Sequence, residues 1–206
     1  MHHVHRPIKR IIFLTNFIRL QLKHISEKEL ISLLQDEETK DKGFRVLVLQ
    51  YQESLYTHVR RLVKTHENAN DVTQNTFIKI YRNIHKFKGE SKLYTWIYRI
   101  ATNEALTFLR QQKRAFTAID ISTNPLAEQL TADTIINSKD IQQLLQNAVE
   151  TLPEKQRLVF VMRYFDDLSY QSISEILDIS TGGLKASYHN AAKKIEAYIK
   201  RHAEDY

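Results

Sequence analysis

Residues 168–195 read LSYQSISEILDISTGGLKASYHNAAKKI, and this stretch decides the fold. Ser169 stands ahead of the apolar residues Ile173, Ile176 and Leu177, where its hydroxyl can accept from a free N–H in the first turn of a short helix. Asp178 to Ser180 interrupts the pattern. Ser180 is placed to cap a second helix carrying Leu184, Tyr188, Ala191, Ile195 and Ile199, steps of four, three, four and four that keep one stripe on one face. The opposite face offers Lys185, Ser187, Asn190 and Lys194. Two short helices with a tight turn let the second protrude, and a protruding helix fits the DNA major groove. An ordinary helical hairpin has the same outline, with Gly182 and Gly183 marking a helix end instead of a start.

The chain has 206 residues, 42% of them hydrophobic, with only four Gly and three Pro. Long stretches follow a helical period and strict alternation is scarce, so an all-α fold is expected, with one large domain or two small ones. Formal charge is +6, which favours an anionic partner such as nucleic acid or an acidic protein surface. There is no cysteine, which excludes disulfides, thiolate zinc sites and a Cys nucleophile. No apolar run is long enough to span a bilayer, so no membrane insertion is expected. Residues 1–24 carry five basic and no acidic side chains. The run IIFLTNFI is broken by polar residues, is followed by Arg19 and Lys23, and lacks a small-residue cleavage site, which argues against a signal peptide. Residues 1–25 are read as a basic, disordered N-terminal extension.

Ser26-Glu27-Lys28-Glu29 has capping-box form and opens a helix through about Gln35. A long helix is expected from about Phe44 to Lys64, with Val48, Tyr51, Leu55, Val59 and Leu62 on one stripe. Asn68 to Asp71 is expected to be a loop and cap before a helix from Val72 to Ile84, where Val72, Thr76, Phe77, Ile80 and Ile84 face inward. Lys86 to Ser91 is a basic loop around Gly89. Another long helix is expected from about Lys92 to Gln112, burying Leu93, Ile97, Ile100, Ala105 and Leu109. Residues 115–137 hold three acidic and no basic side chains, with Asn124-Pro125 and scattered Ser and Thr, and read as a flexible interdomain linker. Helical pattern resumes at about Ser138. Thr151-Leu-Pro-Glu154 has capping-box form again, before a helix burying Leu158, Val159, Met162 and Phe165.

Charge is uneven along this order. Residues 86–114 carry seven basic and two acidic side chains, and residues 180–202 carry five and one. Residues 151–179, between them, carry three basic and five acidic. Two separated basic surfaces, one per domain, suit a protein that touches DNA at two places.

Both halves resemble RNA polymerase sigma factors of the sigma-70 family, extracytoplasmic-function type. The N-terminal half is similar to the family's region two through NDVTQNTFIKIYRNIHKFKGESKLYTWIYRIATNEALTFLRQQKR. The C-terminal half is similar to region four through TLPEKQRLVFVMRYFDDLSYQSISEILDIS and the helix after it. The likeness covers most of residues 26–200 in the family's order. It implies region two at 26–114, a linker at 115–137 and region four at 138–206.

The resemblance implies that Asp71, Gln74, Asn75 and Ile78 face the clamp helices of core polymerase. It implies that Lys86, Lys88, Ser91 and Tyr94 border a loop that receives a flipped base of the −10 promoter element, with Gly89 giving the backbone its freedom. Arg99, Asn103, Arg110, Lys113 and Arg114 then line the next helix, toward the strand backbone. For the −35 element it implies Thr181, Gly183, Lys185, Ser187, Asn190 and Lys194. Asn bonds adenine bidentately, Ser serves base or phosphate, and the helix N-terminus offers free amides to a phosphate. Many relatives carry arginines where Ser187 and Asn190 stand, so fewer phosphate contacts are expected here. Trp96 is the sole tryptophan, followed by Ile97 where housekeeping relatives have a second tryptophan. At helical spacing with Leu93 and Ile100 it reads as core sooner than as a wedge that melts DNA. The partners implied are core RNA polymerase, promoter DNA and an anti-sigma factor, in the cytoplasm.

An enzyme finds little support. There is no HExxH, no glycine-rich phosphate loop and no paired carboxylates on an apolar cleft, so no catalytic residue, small-molecule substrate, cofactor or metal is expected. His2, His3 and His5 could bind a metal weakly, but histidines in a tail usually do nothing. A one-component helix-turn-helix regulator is the nearest rival. It requires a sensory or dimerising N-terminal domain, where residues 26–114 offer a basic loop and helix. A pure protein-interaction module is the third class.

Overall fold

The computed structural model describes residues 25–63, 65–119 and 139–202. Every element among them is helical. Helix α1 (Glu27–Gln35) starts at Ser26, whose side chain accepts from the Glu29 amide while the Glu29 carboxylate accepts from the Ser26 amide. These bonds to Ser26 hold the Glu29 carboxyl below its ordinary value. Helix α2 (Lys40–Val63) runs past α1 at very close range. A β-carbon on Gly43 would stand 2.9 Å from the Leu33 carbonyl carbon, so only glycine lets the two backbones approach there.

Helix α3 (His66–Asn83) begins earlier than the sequence suggests. Thr65 is the cap, its hydroxyl accepting from the Asn68 amide at 3.2 Å, so Asn68 to Asp71 lie inside the helix. A single-turn 3-10 helix (Ile84–Lys86) and the loop 87–92 lead to helix α4 (Leu93–Ile119). This helix runs seven residues beyond Gln112, into the stretch read as linker. Its first amide, Leu93, donates to the Glu27 carboxylate of α1 at 3.2 Å, which supplies the cap its own sequence lacks. Gln35 fixes the loop by donating to the Phe87 carbonyl at 2.8 Å.

The N-terminal core joins Leu30, Leu34, Leu47, Leu55, Leu62, Ile80, Ile84, Leu93 and Ile97, all essentially sealed from solvent. Val48 is only half-buried and Leu47 takes the inward place, so the α2 stripe sits one residue earlier than expected at that point. Trp96 is half-buried, its ring centroid 5.5 Å from that of Phe87.

The C-terminal half comprises α5 (Lys139–Glu150), α6 (Glu154–Phe160) with a π turn (Val161–Phe165), α7 (Tyr170–Leu177) and α8 (Thr181–His202). The capping box expected at Thr151 does not form. Pro153 occupies the cap position of α6 without a side-chain bond, and the Thr151 hydroxyl donates backwards to the Ala148 carbonyl at 2.7 Å. Ser169 does cap α7, accepting from the Ser172 amide at 3.0 Å. Asp178 ends that helix in the left-handed region, φ 55°, a conformation that Asp adopts at less cost than most residues. Ser180 accepts from the Gly183 amide at 3.3 Å, so the two glycines form the first turn of α8. Leu184, Ala191 and Ile195 anchor α8 on Val159, Met162 and Ile173 in the core. No described helix is long and apolar enough to cross a membrane. The N-terminal extension 1–24 and linker residues 120–137 lie outside the described residues.

The two halves pack together. Helix α7 lies on α4, and the π turn lies on α2. His58 of α2 is fully buried, with Nδ1 2.6 Å from a carboxylate oxygen of Asp166 and Nε2 3.1 Å from the Thr102 hydroxyl of α4.

Candidate nucleic-acid interface

Asp71, Gln74, Asn75 and Ile78 all stand on the outer face of α3, opposite buried Val72, Thr76 and Ile80. Ile78 is 47% exposed, a large apolar side chain held in solvent by the helix phase. Gln74 also borders a groove of about 520 Å3 between α2 and α3, where Val48, Tyr56 and Phe77 supply apolar walls. This face combines an apolar centre with amides and one carboxylate, and such a surface suits a protein partner better than a phosphate backbone.

The loop before α4 exposes Lys86 and Lys88 and turns at Gly89, φ 74°. A β-carbon there would meet nothing, so glycine is required by the backbone angle and not by crowding. Ser91 is half-buried and its hydroxyl points to the Lys92 carbonyl at 3.4 Å. Lys92, missed in the sequence, places its ammonium 5.9 Å from the Tyr94 ring centroid. Along α4, Arg99, Asn103, Arg110 and Arg114 are all exposed at steps of four, seven and four, and so share one face. Lys113 is exposed beside them.

The structure does not leave this whole surface open. The Tyr94 hydroxyl is 2.6 Å from the Ser172 hydroxyl, Arg99 donates to the Glu175 carbonyl, and Lys113 pairs with Glu154 at 2.7 Å. A polar cleft of about 770 Å3 lies between loop residues 89–92 and residues 167–175.

On α8 the exposed face differs from the expected one. At about 100° per residue, Ala186, His189, Asn190 and Lys193 centre directly opposite the buried stripe, and all are exposed. Asn190 therefore points outward as expected, and Lys194 is exposed on one flank. Ser187 is half-buried at the flank, and Lys185, exposed on the other flank, extends its ammonium to 6.0 Å from the Tyr170 ring centroid. Thr181 is half-buried and Gly183 exposed in the first turn. The residues missed, His189 and Lys193, were legible from the spacing of Leu184, Ala191 and Ile195. His58 and Asp166 were also missed. A histidine three residues after Leu55 on an apolar stripe was the available signal.

Among the described residues no cluster of His, Asp and Glu could hold a metal ion.

The family pattern described as Sigma-70 region 2 matches residues 47–115, and that described as Sigma-70, region 4 matches residues 142–195. The chain is 32% identical over 168 residues to the ECF RNA polymerase sigma-E factor of Escherichia coli (strain K12), covering 77% of this chain and 87% of that one. It is 30% identical over 187 residues to the ECF RNA polymerase sigma-E factor of Haemophilus influenzae, covering 86% and 97%. Among solved structures, the sigma factor RpoE in complex with the anti-sigma factor NepR from Bartonella quintana shares the fold. Its TM-score is 0.64 at 21% identity, covering 77% of this chain and 98% of that one. CnrH in complex with the cytosolic domain of CnrY gives the same TM-score at 15% identity, covering 85% and 97%. The exposed α3 face, the basic loop and helix, and the capped helix-turn-helix thus stand in a chain that belongs to the extracytoplasmic-function sigma factors of the sigma-70 family, which direct RNA polymerase to promoters.

Proposed function

We propose that this sigma factor divides promoter recognition between its halves. Residues 26–114 act as region two, 138–206 as region four, 115–137 as their connection and 1–25 as a basic extension. Asp71, Gln74, Asn75 and Ile78 bind the clamp helices of core polymerase. Lys86, Lys88, Ser91 and Tyr94 surround the captured base of the −10 element, while Arg99, Asn103, Arg110, Lys113 and Arg114 neutralise the strand backbone. Thr181, Gly183, Lys185, Ser187, Asn190 and Lys194 engage the −35 element as duplex, with His189 and Lys193 added from the exposed face of α8. The chain performs no covalent step and works in the cytoplasm, and polymerase supplies the chemistry. The Bartonella neighbour is held by an anti-sigma factor, which supports control of this chain by a partner of that kind.

One observation carries the reading. Helix α8 follows a capped tight turn and keeps Lys185, His189, Asn190, Lys193 and Lys194 exposed while Leu184, Ala191 and Ile195 anchor it. The test is run-off transcription over a library of genomic fragments, with core polymerase alone and with added chain. Promoter-dependent products that require the chain are expected. Their absence across the library overturns the reading.

A further inference from the structure

We propose that His189 sets the −35 sequence by taking a guanine in the major groove, and that Gly182 and Ala186 leave the room that lets it reach. The proposal rests on the assignment of α8 to the −35 element and names the bases that the helix reads.

The outward face of α8 grades its side chains by length. Gly182, Ala186, His189, Asn190 and Lys193 form its centre, and all are exposed. Lys185 and Lys194 are exposed on the two flanks. At about 100° per residue these two lie roughly 180° apart around the helix. A helix lying in the major groove turns its flanks to the phosphate walls and its centre to the base edges. The flanking cations are therefore placed for phosphate, and the short polar side chains for bases. Lys193 stands a full turn beyond His189, past the N-terminal part of the helix that meets base edges. Imidazole and amide are short beside the side chain of Lys or Arg, so His189 and Asn190 touch bases only if the helix axis comes close. Nothing ahead of them prevents that, since Gly182 has no side chain and Ala186 only a methyl group. The fold itself does not ask for glycine at 182. A β-carbon there would meet no atom within 4 Å, and the backbone is not left-handed. Glycine loses more backbone freedom on folding than any other residue, so the missing side chain serves what lies outside the chain. Lys185 does not block the approach, because its ammonium turns aside to 6.0 Å from the Tyr170 ring centroid.

Chemistry then assigns the bases. His189 has no hydrogen-bond partner among the described residues, so its ring N–H is available to a ligand. Guanine presents two neighbouring acceptors in the major groove, N7 and O6, where adenine presents N7 beside an amino donor. An N–H donor aimed between them therefore prefers guanine. Ala186 offers its methyl group to the 5-methyl group of thymine, and Asn190 takes adenine. Ala186 and Asn190 stand about 6 Å apart along the axis, roughly two base-pair steps, with His189 between them. The element expected is a guanine flanked by A·T pairs.

The experiment is selection of promoters by the holoenzyme from a pool randomised at the −35 element, sequenced before and after binding. The wild type should enrich guanine at one position. His189→Gln should move that preference to adenine at the same position alone, because a glutamine amide bonds adenine bidentately. His189→Ala should flatten it, a loss of roughly tenfold in discrimination. Ala186→Gln should weaken every −35 sequence severalfold by holding the helix away from the base edges, with the thermal melt unchanged because residue 186 is exposed. Preferences that stay as they are in both His189 variants overturn the proposal. So does a wild type that enriches no guanine at the position where His189 acts. Undiminished affinity in Ala186→Gln overturns the close approach. A wild type with no preference anywhere in the −35 element removes the assignment of α8 itself, and the proposal with it. That result is distinct from preferences that persist and ignore residue 189.

Discussion

Asn190 and Lys185 sit on one helix and meet the outside in different ways. Asn190 lies at the exposed centre of α8, where an amide can present donor and acceptor together to adenine. Lys185 lies on the flank, its ammonium over the Tyr170 ring and free of geometry that would select a base. The two alanine variants should therefore differ in kind. Asn190→Ala should cost about 1–3 kcal/mol at one base pair and relax preference there. Lys185→Ala should weaken all −35 sequences alike and lower the salt slope by about one unit. Competition binding of the holoenzyme against a set of mutated −35 elements, at two salt concentrations, measures both. The same uniform loss for each variant would place Asn190 on phosphate. Tyr51 sits in a different environment, half-buried against the core: burial first, then Glu27 and Tyr98, push its hydroxyl up to about 12.

Helix α3 sorts its residues by phase. Its buried side is Val72, Thr76 and Ile80, which leaves Asp71, Gln74, Asn75 and Ile78 exposed on the other side. Asp71→Arg with Gln74→Ala should weaken core polymerase binding severalfold while stability moves by roughly 0.5 kcal/mol or less, since neither side chain is buried. A core-binding titration beside a thermal melt separates the two, and unchanged affinity would return this face to plain solvent. That face was legible in the sequence because a 3.6-residue period fixes both sides of a helix at once. The caps show where legibility ended. Ser26, Ser169 and Ser180 act as read, since each stands directly before a periodic run. Thr65 was missed because the polar run Asn68 to Asp71 imitates a loop, yet these residues lie within the helix, where Ala69 is wholly buried. Thr151 was misread because its hydroxyl finds a closer acceptor behind it at Ala148. The end of α4 and the contact between halves were not legible. Periodicity reports a buried face and not the element that covers it, and His58 and Asp166 stand 108 residues apart in sequence.

At the scale of the molecule, two modest DNA-binding surfaces become one selective reader only because a single chain carries both. Tethering converts the second contact into an intramolecular step, with an effective concentration set by the connecting segment. A protease site inserted between Thr123 and Asn124 tests this without touching either surface. In the free chain the buried contact of His58 with Asp166 and its neighbouring contacts should keep the cut halves together through gel filtration, since the halves share that hydrogen bond and packed helices. On the promoter the halves must bind separate elements, and the cut removes what joins them. Region two should then stay on polymerase while the −35 contact is lost, and promoter-dependent run-off product should fall by roughly a hundredfold. The dependence on −35 sequence should disappear with it, because the surviving complex no longer carries α8. Equal product from cut and intact chain would mean that contacts between the halves, or between region four and polymerase, suffice to hold the reader together without a tether.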